Sequence, residues 1–481
     1  MNAPATPSSA SSNDEPVAVE TQARWALLLL LALGIKWFVA GGFLALIHSI
    51  QLHTPEFLAR YEWFTFGRVQ AAAESALVFG WVANVGFAIA WWLLGRLGGE
   101  RPRGAVGALI GVAFWNAGVT VGVIGILAGD LGPYALLQMP AYVFPLLGAA
   151  YAAFGVAGLA AWLDRRRADT YAAQWYASAA IFALPWFYSA AYAMLSLYPV
   201  TGVSQAIVGA WAGEGLRLVW IAPLALAAAY YLVPKLNGQK LAAYNYADVG
   251  FWALIVLAPW VGTRALVGGP VPVWVPTVGV SCTLLLTLHY LIVASNFKAV
   301  FRRGSPSQAL RFVLVGIAAY LASGLTDTAL AFRSVAQYTQ FTYLGEARLT
   351  LLVLGVFTPI AFGALYFLLP RLTGRAWASD GLIRTHFRAT WIGLLILIAG
   401  LVGAGLTQGT ALVAIRAADG QIAAQTFAEI FAATRPWLLT ATLGLGLELL
   451  GGVLLLVNGI LQLVPASDAA HSDTLASAPA S

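Results

Sequence analysis

Five histidines (His48, His53, His289, His386 and His471), one cysteine (Cys282) and three methionines are the sulfur and imidazole donors in this 481-residue sequence. A single cysteine leaves no disulfide, no cysteine metal cluster and no covalent c-type haem attachment, which needs two. His48 and His53 stand five residues apart and make a weak zinc signal with too few ligands. His289 and His386 each stand alone near the end of an apolar run. They read as interfacial polar groups, or as relocated haem ligands. His471 lies in a polar tail, and phosphate-binding glycine loops, nucleophile elbows and His-Glu-x-x-His are absent.

The remaining chemistry is carried by ionisable residues inside apolar runs. Eight are read at membrane depth: Lys36, Glu74, Glu214, Arg217, Arg264, Asp327, Glu346 and Arg348. A charge there costs at least about 2.5–3.5 kcal/mol on insertion scales, so each is a functional-site candidate. Glu214 and Arg217 are three apart and share a helix face. Glu346 and Arg348 are two apart, roughly 200° around a helix, and must address different neighbours. Four acids and four bases at similar depth suggest interhelical ion pairs; the family resemblance set out below implies Glu214 with Arg264, Glu346 with one of the nearby arginines such as Arg217, and Arg348 with Glu74. The plain structural alternative is that Arg264 and Arg348 snorkel to the headgroups.

These residues need a membrane body to position them. The chain is 60% hydrophobic and 10% charged, against about 25% charged in a soluble domain, which excludes a soluble enzyme. Twelve mostly apolar stretches are long enough to cross roughly 30 Å of hydrocarbon: 25–47, 70–97, 104–128, 138–163, 173–199, 204–233, 247–267, 273–295, 309–332, 345–369, 386–410 and 436–463. The fold class is therefore an all-α membrane protein, a twelve-transmembrane-helix bundle. Residues 1–22 and 466–481 read as polar tails flanking a membrane domain over 23–465. With no basic n-region ahead of it, the first run reads as a retained span. No internal repeat stands out.

The loops after the even-numbered spans hold sixteen Lys or Arg, including Arg165, Lys235, Lys240 and Arg375; the opposite loops hold only Arg60, Arg68, Arg333, Arg416 and Arg435. The positive-inside rule then places both termini in the cytoplasm of a bacterial inner membrane. The net charge of +6 follows from that topology and gives no reason to invoke nucleic acid. Seven of the eight charges, all but Lys36, fall in the outer halves of their spans.

Several motifs carry a resemblance. TFGRVQAAAESALVFG (65–80), YYLVPK (230–235), LRFVLVGIAAY from Leu310, FRSVAQYTQFTYLGEAR from Phe332, FGALYFLLPRLTGR from Phe362, HFRATWIG from His386 and Thr407–Gln408–Gly409 together resemble subunit I of the cbb3-type cytochrome c oxidases, in order and with the same twelve spans. The resemblance implies the haem-copper oxidase subunit I fold. It would also imply haem b and copper, held by six histidines, with a cross-linked tyrosine. Carried over residue by residue, the haem positions become Ala73, Glu346 and Arg348. The copper positions become Glu214, Arg264 and Ala265, the tyrosine position becomes Ala258, and the ninth-span glutamate aligns with Thr326. Arginine is always protonated and offers no lone pair to a metal.

The expectation is therefore a protein with no cofactor and no oxygen-reducing centre of its own. It would be a pseudoenzyme-like paralogue serving a respiratory chain as accessory or scaffold subunit, beside the lipid bilayer and membrane-anchored c-type cytochromes or other respiratory subunits. Two other readings are a proton, ion or small-molecule conduit along the intramembrane charges, and a working terminal oxidase with relocated ligands.

Overall fold

The computed structural model describes residues 23–99, 104–166, 169–303, 307–417 and 427–463; the expected tails, Arg101, Arg103, Arg167 and His471 lie outside them. Twelve helices are long and apolar enough to span a membrane: α1 (Arg24–His53), α2 (Phe66–Gly98), α3 (Ala105–Ala128), α4 (Ala141–Leu163), α5 (Ala172–Leu197), α6 (Val203–Asn237), α7 (Tyr244–Leu266), α8 (Trp274–Arg302), α9 (Gln308–Leu330), α10 (Leu344–Thr373), α11 (Asp380–Val413) and α12 (Phe427–Leu463). No strand occurs among the described residues. In hydrocarbon the backbone must satisfy its own polar groups, and helices do so within one segment.

Three helices form the centre. The most apolar window of α2 is 100% buried, that of α10 94% and that of α6 89%, against 33–56% in the other nine. The outer helices form a ring that α12 closes by packing on both α11 and α1. Each central helix contains a π-helical turn, at Ala76–Val82, Leu216–Ile221 and Leu351–Phe357. A π turn widens the helix and rotates the side chains that precede it, and such turns concentrate at functional sites. Glu74, Glu214 and Arg348 each lie two or three residues ahead of one.

The central helices also end alike, with a left-handed glycine at Gly99, Gly238 and Gly374. Residues 230–238, YYLVPKLNG, and 366–374, YFLLPRLTG, are one motif used twice, so the expectation of no repeat is corrected here. Most helix edges fall where apolar length places them. The exceptions extend further: α11 begins at Asp380 and α12 at Phe427, while α1 runs on to His53 and α8 to Arg302.

Buried polar clamps fix the packing. Trp37 Nε1 of α1 donates to Asn116 Oδ1 of α3 at 2.9 Å, and Asn116 exchanges amide hydrogen bonds with Asn84 of α2 at 2.9 and 3.2 Å. Trp81 Nε1 of α2 donates to Thr358 Oγ1 of α10 at 2.8 Å. Both described chain ends lie on one face of the bundle: Arg24 donates to Thr373 O at 3.4 Å, and Arg375 to Leu463 O at 2.6 Å. We call this the terminal face.

Candidate functional site: an ion chain beside a cavity

At the opposite face, α6, α7, α9 and α10 bring five charged side chains into one bonded series. Arg217 Nη1 meets Glu214 Oε2 at 2.6 Å, and Glu214 Oε1 meets Arg348 Nη2 at 3.1 Å. Arg348 Nε meets Asp327 Oδ1 at 2.6 Å, and that same oxygen meets Arg264 Nη2 at 2.8 Å. Arg264 Nη1 also donates to the Asp327 carbonyl at 2.6 Å. The order is Arg217–Glu214–Arg348–Asp327–Arg264, three cations against two anions. The side chains of Glu214, Asp327 and Arg264 are each 8% exposed. Such charges persist only when paired and hydrogen-bonded, and the alternation of sign supplies that.

The expected pairings are corrected. Arg264 binds Asp327 and not Glu214, because one carboxylate oxygen and the carbonyl of the same residue together accept its fork. Arg348 binds Glu214 and Asp327 and not Glu74. Glu346 accepts from Gln70 Nε2 at 2.8 Å, and Glu74 from Gln138 Nε2 at 2.6 Å. Neutral amides therefore hold the two carboxyls for which sequence reasoning sought cations. Lys36 stands outside the network: it is exposed on α1, with its ammonium 3.8 Å from the Trp37 ring centroid. Arg264 and Arg348 do not snorkel.

A large cavity adjoins this cluster, and a smaller one shares the Gln70, Glu74 and Glu346 wall with it. The larger, about 570 Å3, is lined by Glu74, Gln138, Glu214, Arg217, Arg264, Glu346 and Arg348 among others. The smaller, about 90 Å3, is lined by His48, Gln70, Ala73, Glu74, Glu346, Leu397, Leu401 and Leu445 among others. Gln70, Glu74 and Glu346 stand in the walls of both.

The histidines fall differently from their expected places. His289 and His386 are fully buried, because α8 and α11 extend beyond the spans read from the sequence. His289 Nδ1 bonds the Gly250 carbonyl and Nε2 the Tyr320 hydroxyl, both at 2.7 Å, so neither nitrogen is free. His386 Nδ1 bonds the Tyr366 hydroxyl at 2.7 Å. His53 bonds Thr442 Oγ1 at 3.1 Å. Among the described residues, no group of three or more His, Cys, Asp or Glu converges as a metal site.

Sequence reasoning missed three residues. Gln70 and Gln138 carry no charge and gave no signal at membrane depth. Glu448 does carry one, since it lies within the twelfth apolar run. It is 1% exposed.

The class defined by this geometry is a twelve-helix membrane bundle whose three central helices carry a polar site near one face. Residues 26–447 match the family described as "Cytochrome C and Quinol oxidase polypeptide I", and the chain belongs to that family. It is 24% identical over 461 residues to a cytochrome c oxidase subunit 1 homolog of Azorhizobium caulinodans, covering 93% of this chain and 83% of that one. To the cbb3-type cytochrome c oxidase subunit CcoN1 of Stutzerimonas stutzeri it is 24% identical over 458 residues, covering 92% and 95%. A solved heme-copper terminal oxidase dimer shares the fold, with a TM-score of 0.69 at 14% identity, covering 93% of this chain and 84% of that one.

These relatives overturn one expectation. The missing ligands suggested that no cofactor is bound; membership of this family, with a heme-copper terminal oxidase sharing its fold, goes against that inference. Six positions do not speak for the whole chain. The donor set at those positions nevertheless does not fit the group. Ala73 and Ala265 have no donor atom, Arg264 and Arg348 are committed cations, and both Glu214 oxygens are taken by arginines. A haem or copper in this chain would be held by other residues.

Proposed function

We propose that this membrane subunit is a non-catalytic paralogue of the oxidase polypeptide I family, acting as an accessory or scaffold subunit of a respiratory membrane complex. The observation that carries the reading is the ion chain Arg217–Glu214–Arg348–Asp327–Arg264. It uses the resemblance-assigned copper positions Glu214 and Arg264 and the resemblance-assigned haem position Arg348 as structural ion pairs. A guanidinium cannot serve as an axial ligand to iron or copper. The fold is retained because the central helices still pack through neutral clamps and now also through countercharges. The partners that suit such a subunit are membrane-anchored c-type cytochromes or other respiratory subunits, with the basic loops and both termini in the cytoplasm of a bacterial inner membrane.

The test is purification of the native complex through this chain, identification of the subunits that come with it, and oxygen uptake by the chain alone with a reduced c-type cytochrome. Respiratory subunits in stoichiometric amount and no uptake support the reading. Turnover by the isolated chain overturns it.

A further inference from the structure

The 570 Å3 cavity at the face opposite the termini is left open by small residues. Gly67 of α2, Gly213 of α6 and Gly345 of α10 all line it, one from each central helix. A Cβ built on any of the three meets no atom within 4 Å. Gly213 stands in a helix interior, where glycine weakens the helix, so the space is held open at some expense of local stability. The volume of about 570 Å3 falls inside the range of roughly 300–1,000 Å3 that small-molecule sites occupy. The α3–α4 loop forms one wall, and its Leu131, Pro133 and Ala135 are exposed, so the cavity lies directly beneath the surface of that face.

Its charged walls are of two kinds. Arg217, Arg264 and Arg348 line it together with Glu214, as part of a chain of three cations and two anions. That chain carries one positive charge in excess, and Arg348 presents it. The Arg348 side chain is 23% exposed, the most open of the five. Its Nε and Nη2 hold Asp327 and Glu214, while its Nη1 bonds nothing among the described residues. Glu74, Glu346 and Gln138 supply the second kind of wall. Both carboxyls take hydrogen bonds from neutral amides, Gln138 for Glu74 and Gln70 for Glu346, and no cation bonds either one among the described residues. Gln138 Oε1 is itself without a donor. One wall thus offers donors around an excess positive charge. The other offers acceptors around two carboxyls that lack a countercharge.

We propose that this cavity binds a small zwitterionic aminocarboxylate, with its carboxylate at Arg348 and its ammonium among Glu74, Glu346 and Gln138. The carboxylate accepts the charge-assisted hydrogen bonds that the ion chain leaves unused. The ammonium brings three N–H donors to a wall where acceptors outnumber donors. A simple anion would leave the two carboxyls without a countercharge, and a simple cation would leave the excess charge at Arg348 unanswered. A ligand with both ends answers both walls at once. The site shares the ion chain with the accessory-subunit reading and adds a ligand to it. Binding needs no electron donor, so its failure and the failure of that reading are separable.

The test is isothermal titration of the purified full chain in detergent with glycine, β-alanine and γ-aminobutyrate, a series of rising charge separation. Acetate and ethylammonium serve as single-charge controls. At least one zwitterion is expected to bind once per chain, about tenfold or more tighter than either control. Gly213→Leu fills the open space without removing a polar group and should abolish that binding. Gly345→Leu, at the start of α10, makes the same test if the first variant fails to fold. Glu346→Gln should weaken the zwitterion by about tenfold or more and leave acetate binding no weaker than before. No binding by any of the three zwitterions, a control that binds as tightly as the best of them, or undiminished binding in the leucine variants overturns the proposal.

Discussion

Replacing Asp327 by asparagine removes one negative charge from a position where two guanidinium groups share a single oxygen, at 2.6 and 2.8 Å. The chain of three cations and two anions becomes three against one. The amide keeps an oxygen of the same size as acceptor, so the loss is electrostatic and not steric. Breaking a buried ion pair costs about 3–5 kcal/mol. The lower end applies here, because Arg264 keeps its bond to the Asp327 carbonyl and Arg348 keeps Glu214. At about 1.4 kcal/mol per decade, the folded-to-unfolded ratio falls by roughly two orders of magnitude. The assay is denaturant or thermal unfolding of the purified protein in detergent. Adding Arg264→Gln to Asp327→Asn returns the cluster to two cations against one anion and should recover at least about half of the loss. An Asp327→Asn protein as stable as its parent, or a double variant no better than the single, refutes the idea that alternating charge holds this face together. Swapping Glu214 and Arg264 should restore nothing, since they are not partners.

Asn116→Leu removes the shared acceptor and donor of the α1–α2–α3 clamp and leaves Asn84 and Trp37 short of partners; it should lower stability by about 1–3 kcal/mol, read in the same unfolding assay. Gly444→Ala places a methyl 2.6 Å from the Gly393 carbonyl, where α11 and α12 meet backbone to backbone; overpacking of this kind should cost about 1–3 kcal/mol and lower the melting temperature. With Cys282, the only cysteine, replaced by alanine, a cysteine introduced at exposed Lys240 should react with a membrane-impermeant maleimide only from the cytoplasmic side. One at exposed Phe341 should react only from the outside, and the reverse result would invert the topology.

Much of the architecture is legible in the sequence because hydrocarbon thickness sets a minimum apolar length, and all twelve runs meet it. Depth is legible too: Glu214, Arg217, Arg264, Asp327 and Arg348 come together near one face, where residue count placed them. Partner choice is not. Counting residues fixes height along a helix but not the direction a side chain faces, and the π turns that follow Glu74, Glu214 and Arg348 in α2, α6 and α10 rotate those residues relative to the rest of each helix. Arg264 thus reaches Asp327 on α9 and not Glu214 on α6. Gln70 and Gln138 were invisible because neutral amides at membrane depth look like ordinary interior polar residues. His289 and His386 were misjudged as interfacial because α8 and α11 continue past the apolar runs that defined their ends. The repeat at 230–238 and 366–374 and the carboxyl of Glu448 were there to be read.

The central claim is that the oxidase fold here carries ion pairs at positions where the resemblance sets the metal ligands, and does not itself reduce oxygen. The most direct measurement is oxygen uptake by the purified, reconstituted chain supplied with a reduced c-type cytochrome, repeated with Glu346→Gln and Arg348→Gln. The account predicts no uptake above protein-free vesicles in any of the three. Uptake by the unchanged chain would contradict it, whether or not either substitution abolishes that uptake.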